Sequence, residues 1–354
     1  MTTVNGREVV DSLGMWESVS GIGGRAREAV AAAEAFEGLP GGSPVPPVSS
    51  VVVVGMGASG ISGDILAATA AGRMAVPVIG VKDYGLPAFV GPDSLVFGVS
   101  HSGNTEESLE ATTAALDRGA NVIAVTSGGE MADLAARRGL GVVPVPADAQ
   151  PRAMIAALVL PLIVVTGRLG LLPGADDDVA EAISCIDSAT TRMGSGAPED
   201  RNEALAIARR LDRKLPLVYG SSGPGSVAAY HWKCGINEIA KAPAFCAEYP
   251  ELDHNEICGW GQHGDLTRQA LSIVQLRRAG EHPQVERRIE ITAELVEEAV
   301  AEIIEVTSDA RTPLGSFLDL AIVGDYVSLY LAALAEVDPG PVEVIDRLKA
   351  GLSS

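Results

Sequence analysis

Ser100-His101-Ser102-Gly103-Asn104-Thr105-Glu106-Glu107 lies between an apolar run, Leu95 to Val99, and a helix-like stretch, Ser108 to Leu116. A strand, a turn of hydroxyl residues with glycine and asparagine, and then a helix make a good anion receptor. The hydroxyls donate to phosphate oxygens, Gly103 admits a close backbone, and the helix start offers free N–H groups and the positive end of its dipole. The same residues could serve as an ordinary turn in which Ser or Thr caps a helix. The surroundings decide between the two.

Upstream, Val51 to Val54 reads as a short buried strand, followed by Gly55-Met56-Gly57-Ala58-Ser59-Gly60 and a helix over Ile61 to Ala71. Val76 to Val81, Asn121 to Thr126 and Leu140 to Val145 read as further strands, and Pro151 to Leu169 as a long apolar helix. Strands alternating with helices imply a parallel sheet covered on both faces. From Asp176 the theme recurs: helices over Asp178 to Met193 and Pro198 to Leu211, then the strand and small-residue loop Leu215 to Gly225, and a helix through Lys241. Ala270 to Gln275 reads as a strand, Val285 to Thr307 and Pro313 to Glu336 as long helices, and Pro341 to Gly351 as a short terminal helix. The fold class is α/β, in two related halves, each with a mostly parallel sheet flanked by helices. The expected divisions are a helical segment and loop over 1–48, a first half over 49–175 and a second over 176–354. Within the first of these, residues 7 to 37 read as helical, with a break near Gly21, and Gly38 to Ser49 as a Pro/Gly/Ser-rich loop.

The chain has 354 residues, 47% hydrophobic and only 4% aromatic, so its core is built from Val, Ile, Leu and Ala, as buried parallel strands are. Its net charge of −20 disfavours nucleic acid and anionic membrane as partners, and any phosphate site must be made locally. Met1 to Ile22 lacks a basic region followed by an apolar run, and the apolar stretch Ala153 to Gly167 is broken by Pro161. A soluble cytoplasmic protein is expected. Cys185, Cys234, Cys246 and Cys258 form no C-x-x-C pair and are expected to be buried free thiols.

Gly55 to Gly60 matches the G-x-G-x-x-G of dinucleotide sites, with Asp83 after the next strand as a possible ribose ligand. A nicotinamide enzyme therefore stays open, although no acid–base set of a dehydrogenase is evident. Two anion loops in one sheet suit a phosphorylated sugar better. Together, Gly55–Ser59 and Ser100–Glu107 resemble the sugar isomerase (SIS) domain. Gly235-Ile236-Asn237-Glu238-Ile239-Ala240-Lys241, Asp253-His254-Asn255-Glu256-Ile257-Cys258-Gly259-Trp260 and the terminal Pro341-Val342, Ile345 and Leu348-Lys349 are similar to the bifunctional phosphoglucose/phosphomannose isomerases. The chain departs from that pattern at Ala58, Ser62, His101 and Ile239.

The resemblance implies two SIS-type doubly wound domains and a metal-independent aldose–ketose isomerase. It would interconvert glucose 6-phosphate or mannose 6-phosphate with fructose 6-phosphate through an enediol, with no cofactor and no metal. A non-catalytic sugar-phosphate-binding regulator on the same fold is the alternative, since binding and catalysis share the loop. For the enzyme, the resemblance implies Ser100, Ser102 and Thr105 on the phosphate, Gly57 and Ser59 on the sugar, and Glu238 as the carboxylate that moves the proton between C1 and C2. It implies Arg152 beside the enediolate, Lys349 at the ring oxygen or hydroxyls, and His254, supplied by the partner of a homodimer, as the group that opens the ring. His101 is expected to point away from the phosphate, because alternate residues at a strand end face opposite sides.

Overall fold

The computed structural model of the protein describes residues 3–4, 7–38 and 48–352. A short ribbon of β1 (Thr3–Val4) and β2 (Arg7–Glu8) precedes α1 (Met15–Ser20) and α2 (Ile22–Glu34). The first half continues with β3 (Ser50–Val54), α3 (Ala58–Ala70), β4 (Val78–Val81), β5 (Ser94–Ser100), α4 (Glu106–Asp117), β6 (Asn121–Thr126), α5 (Gly129–Arg138), β7 (Gly141–Pro144) and α6 (Ile155–Arg168). The second half starts with α7 (Ala175–Met193), α8 (Glu203–Leu211), β8 (Leu215–Ser221), α9 (Pro224–Glu238), β9 (Phe245–Tyr249) and α10 (Gly264–Ala270). It ends with β10 (Leu271–Arg278), α11 (Pro283–Val296), β11 (Glu302–Ser308), α12 (Pro313–Leu334) and α13 (Glu343–Leu352).

The first sheet has the order β4-β3-β5-β6-β7 and the second β11-β10-β8-β9, with every neighbouring pair parallel. Successive side chains of a strand point to opposite faces, and the valine run of β3 shows the result. Val51 and Val53 join the cluster built with α2, α3 and α6, while Val52 and Val54 pack with Ala111 and Ala115 of α4. In the second sheet Val218, Val274 and Ile304 face the same large cluster, and Tyr219 and Ile273 face Ile289 and Val296 of α11. One apolar cluster thus runs through both halves, joined by α6, α9 and α12. The expected division between the halves, after residue 175, falls at the very start of α7, just past the turn that follows α6. That turn is closely packed: a Cβ on Gly167 would lie 2.5 Å from that of Ala175. The acidic run after it starts α7, where fully buried Asp178 pairs with Arg73 at 2.6 Å.

α12 is long and apolar enough to cross a membrane by length and composition, yet it is buried almost throughout between α7, α8 and α9. Its start is fixed twice. The Thr312 hydroxyl accepts from the Gly315 amide at 3.0 Å, and Glu181 accepts from the amides of Arg311 and Thr312 at 3.0 and 2.6 Å. Burial opposes ionisation of Glu181, but those hydrogen bonds outweigh it and hold the carboxyl down at about 2.

Three expectations need correction. Val285 to Thr307 is not one helix: the 3.6-residue spacing of Ile289, Thr292 and Val296 ends with α11, and Ile304, Val306 and Ser308 then alternate buried with exposed Glu305 and Thr307 as edge strand β11. Residues 7 to 37 become helical only at Met15, where Asp11 accepts from the amides of Met15 and Trp16 at 2.8 and 3.0 Å. The four cysteines are free thiols, but three are half-buried and Cys258 is exposed. The expected loop over Gly38 to Ser49 lies mostly outside the described residues, as 39–47 are not described.

Candidate active site

In the first sheet the chain leaves β3 for β4 on one side and returns to β5 on the other. Such a reversal opens a crevice at the carboxyl ends of the two strands. The loops after β3 and β5 fill its rim, and α3 and α4 start there with their free N–H groups. Between this rim and α9 lies a cavity of about 240 Å³. Gly57, Ser59, Ser102, Thr105, Arg152, Glu238 and Lys349 all line it. Segments far apart in the sequence, from both halves, therefore meet around one space.

The hydroxyl turn is held from behind. Buried Ser100 does not line the cavity; its hydroxyl donates to Thr105 Oγ1 at 3.1 Å and so orients the threonine. Asn104 ties the turn to the start of α5, its Oδ1 accepting from the Glu130 amide at 3.0 Å. Gly103 adopts φ +70°, and a Cβ there would lie 1.8 Å from the Gly128 carbonyl oxygen, so only glycine fits. His101 borders the cavity, with its Nε2 turned onto the Pro146 carbonyl at 3.0 Å. Burial, more than the nearby Arg25 charge, pushes its pKa down. At α3, Ala58 is the first helical residue, and the hydroxyl of fully buried Ser62 donates to the Ser59 carbonyl at 2.6 Å.

Glu238 is the last residue of α9 and is half-buried. Lys241, one turn on, donates to the Glu238 main-chain carbonyl. Ile239 beside it is buried, which suits an apolar residue there. Arg152 sits in a short 3-10 turn with one guanidinium nitrogen on the Gly340 carbonyl, and burial lowers its pKa against the opposing charges of Glu238 and Asp346. An arginine stays charged regardless. Lys349 reaches the cavity from exposed α13.

His254 is not brought to this cavity. It ends a 3-10 turn, Glu251–His254, and is exposed. The turn itself is firm: Asp253 accepts from Thr292 Oγ1 at 2.8 Å, Asn255 donates to Glu251 at 3.0 Å, and Tyr219 donates to Glu256.

Two lining residues escaped the reading of the sequence. Buried His231 and Asp325 border the cavity, joined by His231 Nε2 to Asp325 Oδ1 at 2.8 Å. His231 could have been found from its spacing, since His231, Cys234, Gly235 and Glu238 follow the i, i+3, i+4, i+7 rule of one helix face. Asp325, inside an apolar helix, gave only the oddity of a carboxylate among buried residues.

The second sheet has its own reversal, at β8 between β9 and β10, and its crevice is closed from within. Glu281 is buried there, accepting from the Ser221 hydroxyl at 2.9 Å and from Arg277 Nε at 2.9 Å. The Glu281–Arg277 pair thus occupies the end of β8 where the first sheet has its open rim.

Two family models match. A SIS domain covers residues 47–166, and a bacterial phospho-glucose isomerase C-terminal SIS domain covers residues 200–352. The chain is 37% identical over 306 residues to the bifunctional phosphoglucose/phosphomannose isomerase of Caldicellulosiruptor bescii, covering 86% of this chain and 90% of that one. It is 32% identical to the protein of the same description from Aquifex aeolicus, covering 86% and 91%. Among solved structures, a hypothetical protein of Thermus thermophilus superposes with a TM-score of 0.74 at 17% identity, covering 97% of this chain and 90% of that one. A glucose-6-phosphate isomerase like protein from the same organism gives 0.58 at 18% identity, covering 92% and 97%. Both likenesses speak to the fold alone.

Proposed function

Because the chain belongs to the family of bifunctional phosphoglucose/phosphomannose isomerases, we propose that it interconverts glucose 6-phosphate and mannose 6-phosphate with fructose 6-phosphate through an enediol. One observation carries the reading: a hydroxyl turn at two helix N-termini and a half-buried glutamate border the same cavity. The substrates are anions at one end and need proton transfer at the other. Glucose and mannose 6-phosphate differ only at C2, whose configuration disappears in the planar enediol, so one site can serve both.

In this reading the phosphate rests on the Ser102 and Thr105 hydroxyls and the amides opening α3 and α4, with Ser100 aiming Thr105 and with Gly57 and Ser59 against the sugar. Glu238 carries the proton between C2 and C1. The fixed guanidinium of Arg152 offsets the charge of the enediolate, and Lys349 closes the cavity at its mouth over the sugar oxygens. Ring opening falls to His254 of the partner subunit, which requires a homodimer. The exposed yet firmly built turn carrying this residue supports that assignment.

Assayed with EDTA present, the purified protein should form fructose 6-phosphate from each aldose phosphate. Tight binding of both without turnover would leave a sugar-phosphate sensor and overturn the enzyme. The shared site has its own expected result. Glu238→Gln and His254→Ala proteins, each inactive alone, should regain about a quarter of wild-type activity when unfolded together and reassembled, because about half the dimers then hold one intact site. No recovery in dimers shown to have exchanged would place ring opening within a single chain.

A further inference from the structure

An aldose–ketose exchange moves two hydrogens, one between C2 and C1 and one between O2 and O1. Glu238 serves the first. The second needs a group that both accepts and donates a proton near neutral pH. Resting on the isomerase reading above, we propose that His231, aimed by Asp325, touches the bound sugar and carries the oxygen-bound proton.

His231 and Glu238 stand on one face of α9, both bordering the cavity, with Gly235 between them adding no side chain. Seven residues of helix separate their backbones by about 10 Å, and the two side chains border one cavity of about 240 Å³. His231 is 5% exposed and its ring is fixed, with Nε2 on Asp325 Oδ1 at 2.8 Å and an edge-on contact to Phe317. Nδ1 is then the ring atom left for the cavity. An acid that holds one imidazole nitrogen sets the tautomer and steadies the imidazolium, as in hydrolase triads.

The other lining groups suit the task less. His101 has one nitrogen on the Pro146 carbonyl, and burial disfavours its charged form. Burial pushes the Cys234 thiol up, and Arg152 cannot give up its proton. Around His231 stand Asp325 from α12, Glu238 and Cys234 from its own helix, Arg152 from the turn before α6, and Lys349 from α13. Burial acts against protonation of His231, but the charges of Asp325 and Glu238 prevail and raise its pKa.

The step balances. In the open-chain aldose, Glu238 takes the C2 proton, its electron pair becomes the C1=C2 bond, and the carbonyl π pair moves onto O1. The His231 imidazolium gives its Nδ1 proton to O1. The neutral ring then takes the proton from O2 as the C2=O2 bond forms and the C1=C2 pair takes the proton of Glu238 at C1. Both side chains end as they began.

In His231→Gln, turnover should fall about 10²- to 10³-fold, while affinity for glucitol 6-phosphate, which cannot react, stays within about threefold. In D2O the recovered aldose should gain deuterium at C2 faster than product forms, because Glu238 still works. The limb of the wild-type kcat–pH profile that belongs to His231 should vanish. Unchanged turnover with an unchanged profile overturns the proposal. If the variant does not fold, nitrogen NMR of the wild-type rings decides: His231, one of five histidines in the chain, should shift when glucitol 6-phosphate saturates the site, and an unmoved signal overturns the contact. A wild-type protein without turnover would sink the isomerase reading instead, and the ring signal would still report whether His231 meets the sugar ester.

Discussion

Glu238→Gln should lower kcat for both aldose phosphates by about 10³- to 10⁴-fold, the scale of a lost general base. Glutamine keeps the length and shape of the side chain at the end of α9 but cannot take up a proton. The proposed phosphate grip lies on the loops after β3 and β5, on other elements of the fold. Affinity for glucitol 6-phosphate should therefore change by no more than about threefold, so that the loss appears in kcat rather than in binding. Exchange of the C2 hydrogen with D2O should stop as well, which separates this variant from His231→Gln, where exchange persists. Turnover within about tenfold of wild type would remove Glu238 from the mechanism.

Gly103→Ala should cripple the other end of the site. Its backbone is left-handed at φ +70°, and the added methyl would meet the Gly128 carbonyl at 1.8 Å. That oxygen belongs to the main chain at the start of α5, so no flexible side chain can move aside. The turn must open, taking with it the Ser102 and Thr105 hydroxyls and the Asn104 bond to Glu130. Strain and overpacking together should cost about 2–4 kcal/mol of stability, seen as a lower unfolding midpoint in urea, and glucitol 6-phosphate binding should be lost. Gly119→Ala is the control. Its φ is also positive, at +79°, but the nearest atom to a new Cβ is Pro92 Cγ at 3.6 Å. That change should cost about 1 kcal/mol and leave activity intact. If Gly103→Ala bound the ligand normally, the turn would not be the phosphate site.

Much of this was legible in the residues. The valine run of β3, the Leu95–Val99 strand and the small-residue loops after each gave the parallel sheet and its rim, because a strand buried on both faces carries an uninterrupted apolar stretch. The hydroxyl turn could be picked out from its residue types, whereas Arg152, Glu238 and Lys349 stood out only through the resemblance of their segments to the bifunctional isomerases. What stayed hidden depends on contacts across the chain. That Ser100 faces Thr105 rather than the cavity is set by how the turn folds back on itself, which spacing does not encode. His231 is coupled to Asp325, 94 residues away, and neither residue announces the other. β11 was lost because glutamates at helix-like intervals, from Glu286 to Glu302, masked the change of period at Ala301.

The burial of Glu281 at the second crevice bears on the count of guests. A fold repeated within one polypeptide could have offered two berths, yet one is filled by the protein's own acid and the other borrows a helix from its neighbour to become complete. On the proposed reading each chain holds a single sugar ester. Neither half, cut from the other, would keep a working berth.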